Sequence, residues 1–404
     1  MSSSFWSKVP QGPPDAVFGV AEAYKLDSNP NKVNLSVGAY RTDNGKPWVL
    51  DSVLQAEKML LDEKLDKEYA PIGGLQEFSV AASKLAFGQD STILKNKQNV
   101  TVQTLSGTGA LKVGASFIKQ YLEKSQDVYL PKPTWPNHPN VFSTTGLNVK
   151  SYTYFNPETK GIDETQLLQD IKNMPENAVI LLHACAHNPT GVDPTKQQWK
   201  RISDVIKARK LLPFFDMAYQ GFASGSLDND AYAVRLFANE GHQVILAQSF
   251  AKNMGLYGER VGALTIVCED QDEVKRVMSQ VKRVIRPMYS NPPLHGARLA
   301  LKIMKTPALE QQWFDELKVM SGRILQMRQL LVSHLEKLGS TIKWNHVTDQ
   351  IGMFCYTGLN PEQVDVLTKK HSIYLTKDGR ISIPGLTTKN VEYVAKAIHE
   401  VTSK

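Results

Sequence analysis

From about residue 100 onward, short β-rich apolar runs alternate with stretches whose apolar residues recur every three or four positions. Residues 100–105, 128–130, 149–155, 178–184, 212–215, 244–248 and 261–267 read as strands. Residues 109–123, 164–173 and 195–210 read as helices between them. This alternation predicts an α/β unit on a mostly parallel sheet, with ligand sites at the carboxyl ends of the strands. After about Ala308 the pattern changes to one long helical stretch carrying Trp313, Leu317, Met320 and Ile324, then short strands near 352–356 and 380–383 and a final helix. That change predicts a smaller α+β unit, completed by the N-terminal segment.

A length of 404 residues with 42% hydrophobic positions fits such a division, since about 150 residues per domain is the usual scale and a chain of this size buries about three quarters of its unfolded surface. The longest strongly apolar run, around 178–182, is far short of a membrane span. Cys185, Cys268 and Cys355 are odd in number and widely separated, which fits a reducing compartment better than a disulfide framework. Asn34-Leu35-Ser36 and Asn99-Val100-Thr101 match the glycosylation pattern, but no secretory signal precedes them. The N-terminus lacks an Arg-rich amphipathic stretch, so the expected compartment is the cytoplasm, with the mitochondrial matrix as the alternative because a trimmed chain carrying a start Met would read the same way.

The balance of 47 Lys+Arg over 40 Asp+Glu gives +7 and raises polyanions as partners. Yet Lys275-Arg276 and Lys282-Arg283 sit between Val274, Val277, Met278, Val281 and Val284 at helical spacing, which describes a solvated face. There is no RNP-like run or zinc-finger spacing, and neither nucleic acid nor a membrane is expected as a partner.

The unusual local sequences fall just after predicted strands. Ser106-Gly107-Thr108-Gly109 combines close backbone approach, hydroxyl donors and a helix N-terminus, a setting for a phosphate or for a plain strand-to-helix turn. Lys112 stands where G-x-G-x-x-G needs its third glycine, which disfavours a dinucleotide. In the run 249–260, Lys252 is a candidate nucleophile toward an aldehyde, with Ser249 and Arg260 able to hold a phosphate on it. Asp216 ends an apolar strand and needs a cationic partner: a protonated pyridine nitrogen, an arginine, or a helix terminus to cap. His183, Cys185 and His187 alternate like metal ligands, but Asn188-Pro189-Thr190-Gly191 breaks the strand and no fourth ligand follows, so no metal is expected. Arg286 and Arg380 are candidates for bidentate carboxylate binding.

These residues carry a family resemblance. The segments V-N-L-S-V-G-A-Y-R (33–41), 106–111, P-T-W-P-N-H (133–138), H-A-C-A-H-N-P-T-G-V-D-P (183–194), F-D-M-A-Y-Q-G (215–221), 249–262, R-P-M-Y-S-N-P-P (286–293) and 349–358 resemble, in order, the aspartate aminotransferases of the eukaryotic type, within the class I pyridoxal-phosphate-dependent aminotransferases. The resemblance implies an α/β, fold-type I transferase with a large domain at 48–319 and a small α+β domain formed by 1–47 and 320–404. It implies that Lys252 forms the Schiff base with pyridoxal 5'-phosphate and then serves as the catalytic base, with Asp216 on the pyridinium nitrogen. Tyr219 and Asn188 would bind the ring hydroxyl oxygen, Trp135 would stack on the ring, and His183 would support from behind. Ser106, Gly107, Thr108, Ser249, Arg260 and Tyr69 of a second subunit would hold the phosphate. Arg380, Asn188, Trp135 and the Gly38 backbone would take the substrate's α-carboxylate, and Arg286 of the second subunit the distal one. Those roles imply a homodimer with shared active sites and ping-pong transfer from aspartate to 2-oxoglutarate. An aromatic or broad-range aminotransferase is the alternative. Ser36, His295 and Pro384 depart from the family's usual Gly, Asn and Ala.

Overall fold

The structure is a computed structural model and describes residues 4–12 and 18–403. Its centre is a seven-stranded sheet of β1 (Asn99–Leu105), β2 (Asp127–Lys132), β3 (Asn148–Thr153), β4 (Val179–His183), β5 (Leu212–Met217), β6 (Ile245–Ser249) and β7 (Val261–Val267). From edge to edge the order is β1-β7-β6-β5-β4-β2-β3. The pairs from β6 to β3 are parallel, whereas β7 runs antiparallel to both β1 and β6. The segment 250–260 that joins β6 to β7 contains no helix, and a parallel return needs a crossover of a dozen or more residues, so the chain turns back on itself.

Helices cover both faces of the sheet, which explains why its central strands are apolar along their whole length. Successive residues point to opposite faces: Val179, Leu181 and Phe214 enter one core, and Ile180, Leu182 and Phe215 enter the other. Helix Ser106–Tyr121 supplies Ala110, Leu111 and Val113 to the first core. A Cβ on its Gly114 would lie 2.7 Å from Phe214 Cζ, so helix and sheet touch closely. Helix Lys196–Ala208 supplies Trp199, Ile202 and Ile206 to the second core and starts in a capping box between Thr195 and Gln198. Along helix Gln271–Tyr289, Val281, Val284 and Ile285 are buried while Lys275, Arg276, Lys282 and Arg283 are exposed, as the solvated-face reading expects.

A third core joins the two ends of the chain. Val33 and Asn34 pair in parallel with Ile373 and Tyr374, and the Ser382 N–H donates to Leu35 O at 2.7 Å. The long helix Pro307–Lys337 buries Trp313, Leu317, Met320 and Ile324 there and runs without a break through positions 319 and 320. Among the described residues no helix is long and apolar enough to cross a membrane.

Candidate active site

Strand register brings the unusual residues together. His183 lies beside Asp216, Asp216 beside Ala247, Ser249 beside Gly262, and Leu105 beside Val261, all at one end of the sheet.

Asp216 is not paired with an arginine. Its Oδ2 lies 3.0 Å from His138 Nε2, while His138 Nδ1 meets Thr134 Oγ1 at 2.8 Å and Thr134 Oγ1 meets His183 Nε2 at 3.2 Å. The chain of hydrogen bonds is extended by the Asn188 N–H, which donates to His183 Nδ1 at 3.3 Å. Burial acts to raise the Asp216 carboxyl, but the His138 hydrogen bond, with Lys252 nearby adding to it, outweighs burial and holds the group below the usual carboxylate range. Burial next to His138 pushes His183 down to about 3, so it stays neutral.

Lys252 sits in the turn after β6, and burial lowers its amine from the ordinary lysine value, with Arg260 adding to the effect and Asp216 opposing it. Its Nζ lies 5.6 Å from the centroid of the Tyr219 ring. The turn is tied to the long helix, because Trp313 Nε1 donates to Asn253 O at 2.7 Å. Tyr219 is 5% exposed and its phenol is raised by burial, so it stays protonated. A neutral-prone amine beside a fixed carboxylate suits proton transfer and attack on a carbonyl.

An anion cradle closes the same end of the sheet. Ser106 and Ser249 exchange a hydroxyl hydrogen bond at 2.9 Å, and the Ser106 N–H donates to Arg260 O at 3.1 Å. Ser106 and Arg260 both take left-handed backbone, φ 61° and 54°, which non-glycine residues seldom hold without a local purpose. A Cβ on Gly107 would lie 3.2 Å from Ser249 Cβ. Thr108 sits half-buried in the helix's first turn, and the exposed Arg260 donates to Tyr257 O. Hydroxyls, a guanidinium and a helix N-terminus make a donor set that fits a phosphate.

Arg380 closes the site from the other side. It is 3% exposed, yet it donates only to neutral oxygens: Nη1 to Asn188 Oδ1 at 3.4 Å and Nη2 to Ser36 O at 2.8 Å. Its Nε has no partner. A buried guanidinium with a spare donor and no counter-ion is expensive unless an anion completes it, so the pocket fits a carboxylate. Phe354 stacks 4.1 Å from the guanidinium carbon, and a Cβ on Gly38 would lie 2.6 Å from the same ring. Trp135 packs edge-on against His138, with ring centres 5.1 Å apart.

Two predicted residues stand apart within the single chain. Tyr69 is 82% exposed, and the exposed Arg286 donates to Ser290 Oγ at 2.6 Å. Neither hydrogen-bonds any of the residues above. Of the departures, Ser36 turns its hydroxyl to Asn34 Oδ1 at 2.8 Å and Pro384 is buried in the turn Ile383–Gly385. His295 lies 3.7 Å from Glu57. Among the described residues no group of three His, Cys, Asp or Glu side chains is placed to hold a metal, and Cys185, Cys268 and Cys355 are buried and free. Sequence reasoning assigned no role to His138 or Thr134, although both lie in the P-T-W-P-N-H segment it singled out.

The pattern of the family described as Aminotransferase class I and II matches residues 30–398, and the chain belongs to that family. It is 58% identical over 401 residues to the mitochondrial aspartate aminotransferase of Xenopus tropicalis, covering 99% of this chain and 94% of that one. It resembles the aspartate aminotransferase from the cytoplasm of Saccharomyces cerevisiae with a TM-score of 0.97 and 45% identity, covering 100% and 99% of the two chains. It also resembles the aromatic-amino-acid aminotransferase of Burkholderia pseudomallei covalently bound to pyridoxal phosphate, with a TM-score of 0.96 and 42% identity, covering 99% and 100%.

Proposed function

We propose that this aminotransferase moves the amino group of L-aspartate to 2-oxoglutarate, giving oxaloacetate and L-glutamate in ping-pong order, with pyridoxal 5'-phosphate as its cofactor. The observation that carries the reading is the buried Arg380, without a counter-ion and with Asn188 beside it, in a pocket that also holds Lys252, Asp216 and Tyr219. Bound there, the cofactor supplies an electron sink that makes the substrate's α-proton removable.

The chain's own residues supply the rest. Lys252 Nζ, with its pKa lowered by burial, takes the proton from the substrate Cα and would pass it to the cofactor rather than back to Cα, the same transfer running in reverse for the second substrate. Asp216, kept ionised, holds a proton on the ring nitrogen. Ser106, Gly107, Thr108, Ser249 and Arg260 hold the phosphate. Tyr219 and Asn188 orient the ring oxygen, Trp135 covers the ring, and His183 acts behind them through Thr134. Arg380, Asn188, Trp135 and the Gly38 backbone bind the α-carboxylate. In this reading Tyr69 and Arg286, exposed in the single chain, complete the site of a second copy, with Arg286 taking the distal carboxylate. The enzyme is therefore a homodimer. Residues 48–319 form its cofactor unit, and 1–47 with 320–404 the smaller unit that carries Arg380.

Identities of 58% and 56% to the mitochondrial enzymes of Xenopus tropicalis and Gallus gallus favour the matrix over the cytoplasmic expectation. The same comparison favours aspartate over an aromatic substrate, at 58% against 42%.

Lys252→Ala tests the reading. The variant should lose the visible absorbance of covalently held cofactor and nearly all turnover of aspartate with 2-oxoglutarate; retention of both overturns the assignment. In the wild type, kcat/KM for aspartate should exceed that for phenylalanine.

A further inference from the structure

The long helix Pro307–Lys337 buries a cation that the proposed reaction does not use. Arg328 is 1% exposed and has no carboxylate partner among the described residues. It donates instead to three backbone carbonyls: Nη1 to Val347 O at 2.8 Å, and Nη2 to Gly352 O at 2.9 Å and Phe354 O at 2.6 Å. A buried guanidinium with only neutral carbonyls and the Cys355 thiol around it is a poor way to fill a core, and an aliphatic side chain of similar volume would pack there without the desolvation. What the arginine adds is a fork that holds several oxygens of one loop at once.

That loop touches both walls of the carboxylate pocket. Phe354 stacks on the Arg380 guanidinium at 4.1 Å, and Tyr356 pairs in register with Arg380 itself. On the other side, the Ile351 N–H donates to Gly191 O at 2.7 Å. Gly352, with φ of 81°, backs onto Ala186 so closely that a Cβ would lie 2.4 Å from the alanine's own. Ala186 and Gly191 flank Asn188, which accepts from Arg380. Arg328 thus holds the one loop against which the Arg380 fork and the Asn188 segment are both seated.

We propose that Arg328 is a positioning residue for carboxylate recognition: by fixing residues 347–354 it sets the distance between Arg380 and Asn188. The inference rests on the reading that those two residues bind the substrate's α-carboxylate. Its removal loosens binding of the carboxylate in ground and transition state alike, so it raises KM more than it lowers kcat.

The experiment uses the holoenzyme and three variants, Arg328→Met, Arg328→Lys and Phe354→Leu. It measures steady-state kinetics with aspartate and 2-oxoglutarate, and calorimetric titration of succinate, a dicarboxylate without an amino group that binds and does not react. Arg328→Met should raise the succinate Kd and both KM values by about tenfold or more while kcat falls less than about threefold. Arg328→Lys should lie between, since an ammonium reaches fewer of the carbonyls, and Phe354→Leu should weaken succinate binding with Arg328 in place. A folded Arg328→Met that binds succinate like the wild type, or that loses kcat with KM unchanged, overturns the proposal. If Arg328→Met does not fold, wild-type succinate affinity in both Arg328→Lys and Phe354→Leu overturns it equally. A wild-type enzyme that neither transaminates aspartate nor binds succinate refutes the functional reading instead.

Discussion

Asp216 stays ionised against its own burial because separate opposing contributions act together: the His138 hydrogen bond at 3.0 Å and the nearby Lys252. Removing one contributor leaves the other, and a ring-nitrogen proton as partner, in place. His138→Ala should therefore lower kcat/KM for aspartate by about tenfold, the scale of one charge-assisted hydrogen bond, whereas Asp216→Ala should lower it by about a thousandfold or more. Equal losses in the two variants would show that His138 acts on something other than the carboxylate. Lys252 and Asp216 were legible in the sequence because an ionisable residue at the end of an apolar strand, or in a glycine-rich turn after one, needs an explanation, and Arg380 because an arginine opens a strand straight after a turn. His138 was not, since its partner is 78 positions away and no local pattern tells a loop histidine which strand end it faces. Tyr69 and Arg286 are a different case, because their roles belong to a second chain and entered only with the resemblance.

At the level of elements, the sheet was read well where a strand is buried on both faces. Residues 261–267 and helix 164–173 were placed with their observed bounds. What periodicity could not give was direction: β7 has the composition of its parallel neighbours and is antiparallel only because the turn before it is short. It also missed where the helix after β1 begins, which is Ser106 rather than Gly109, because the backbone reverses through a left-handed serine. The two features meet at Gly262. A Cβ there would lie 2.4 Å from Ser106 C, 2.5 Å from Gln248 O and 2.6 Å from Ser106 O, all backbone atoms that no rotamer change can move. Gly262→Ala should destabilise the fold by about 1–3 kcal/mol and displace the Ser106–Ser249 pair. Thermal melts with and without added pyridoxal phosphate check both effects, with a lower Tm and a higher cofactor Kd expected. An unchanged Tm means the cradle has slack that its geometry does not show.

For the whole molecule, a few of the basic residues that first pointed to polyanions, Lys252, Arg260, Arg286 and Arg380, are better placed around anionic ligands, while the acid response is set by buried histidines. Burial lowers His183 to about 3, with His138 adding to it, and lowers His242 and His346 to about 4, with Lys207 and Lys160 adding to it. Burial also holds His187 well below the ordinary value. In the unfolded chain all four titrate near 6.5, so near pH 5 the unfolded state holds four protons that the native state lacks. Asp193 and Asp230 act in the opposite sense, since burial raises both to about 6 and the native state binds their protons first. Four against two leaves a net uptake on unfolding of about two protons near pH 5, and stability falls with falling pH wherever the unfolded state binds more protons. The expected slope is about 3 kcal/mol per pH unit between roughly pH 6 and 4.5, at about 1.4 kcal/mol per proton, falling to about a third of that at pH 7 and fading above it. Urea unfolding of the holoenzyme at one protein concentration, at pH 7.5, 7, 6 and 5, measures it. The curve should change by only a few tenths of a kcal/mol across the first pair, about 0.3 by the same proton count, and drop steeply across the last. A free energy that holds constant down to pH 5 would mean that the histidines accept protons without unfolding.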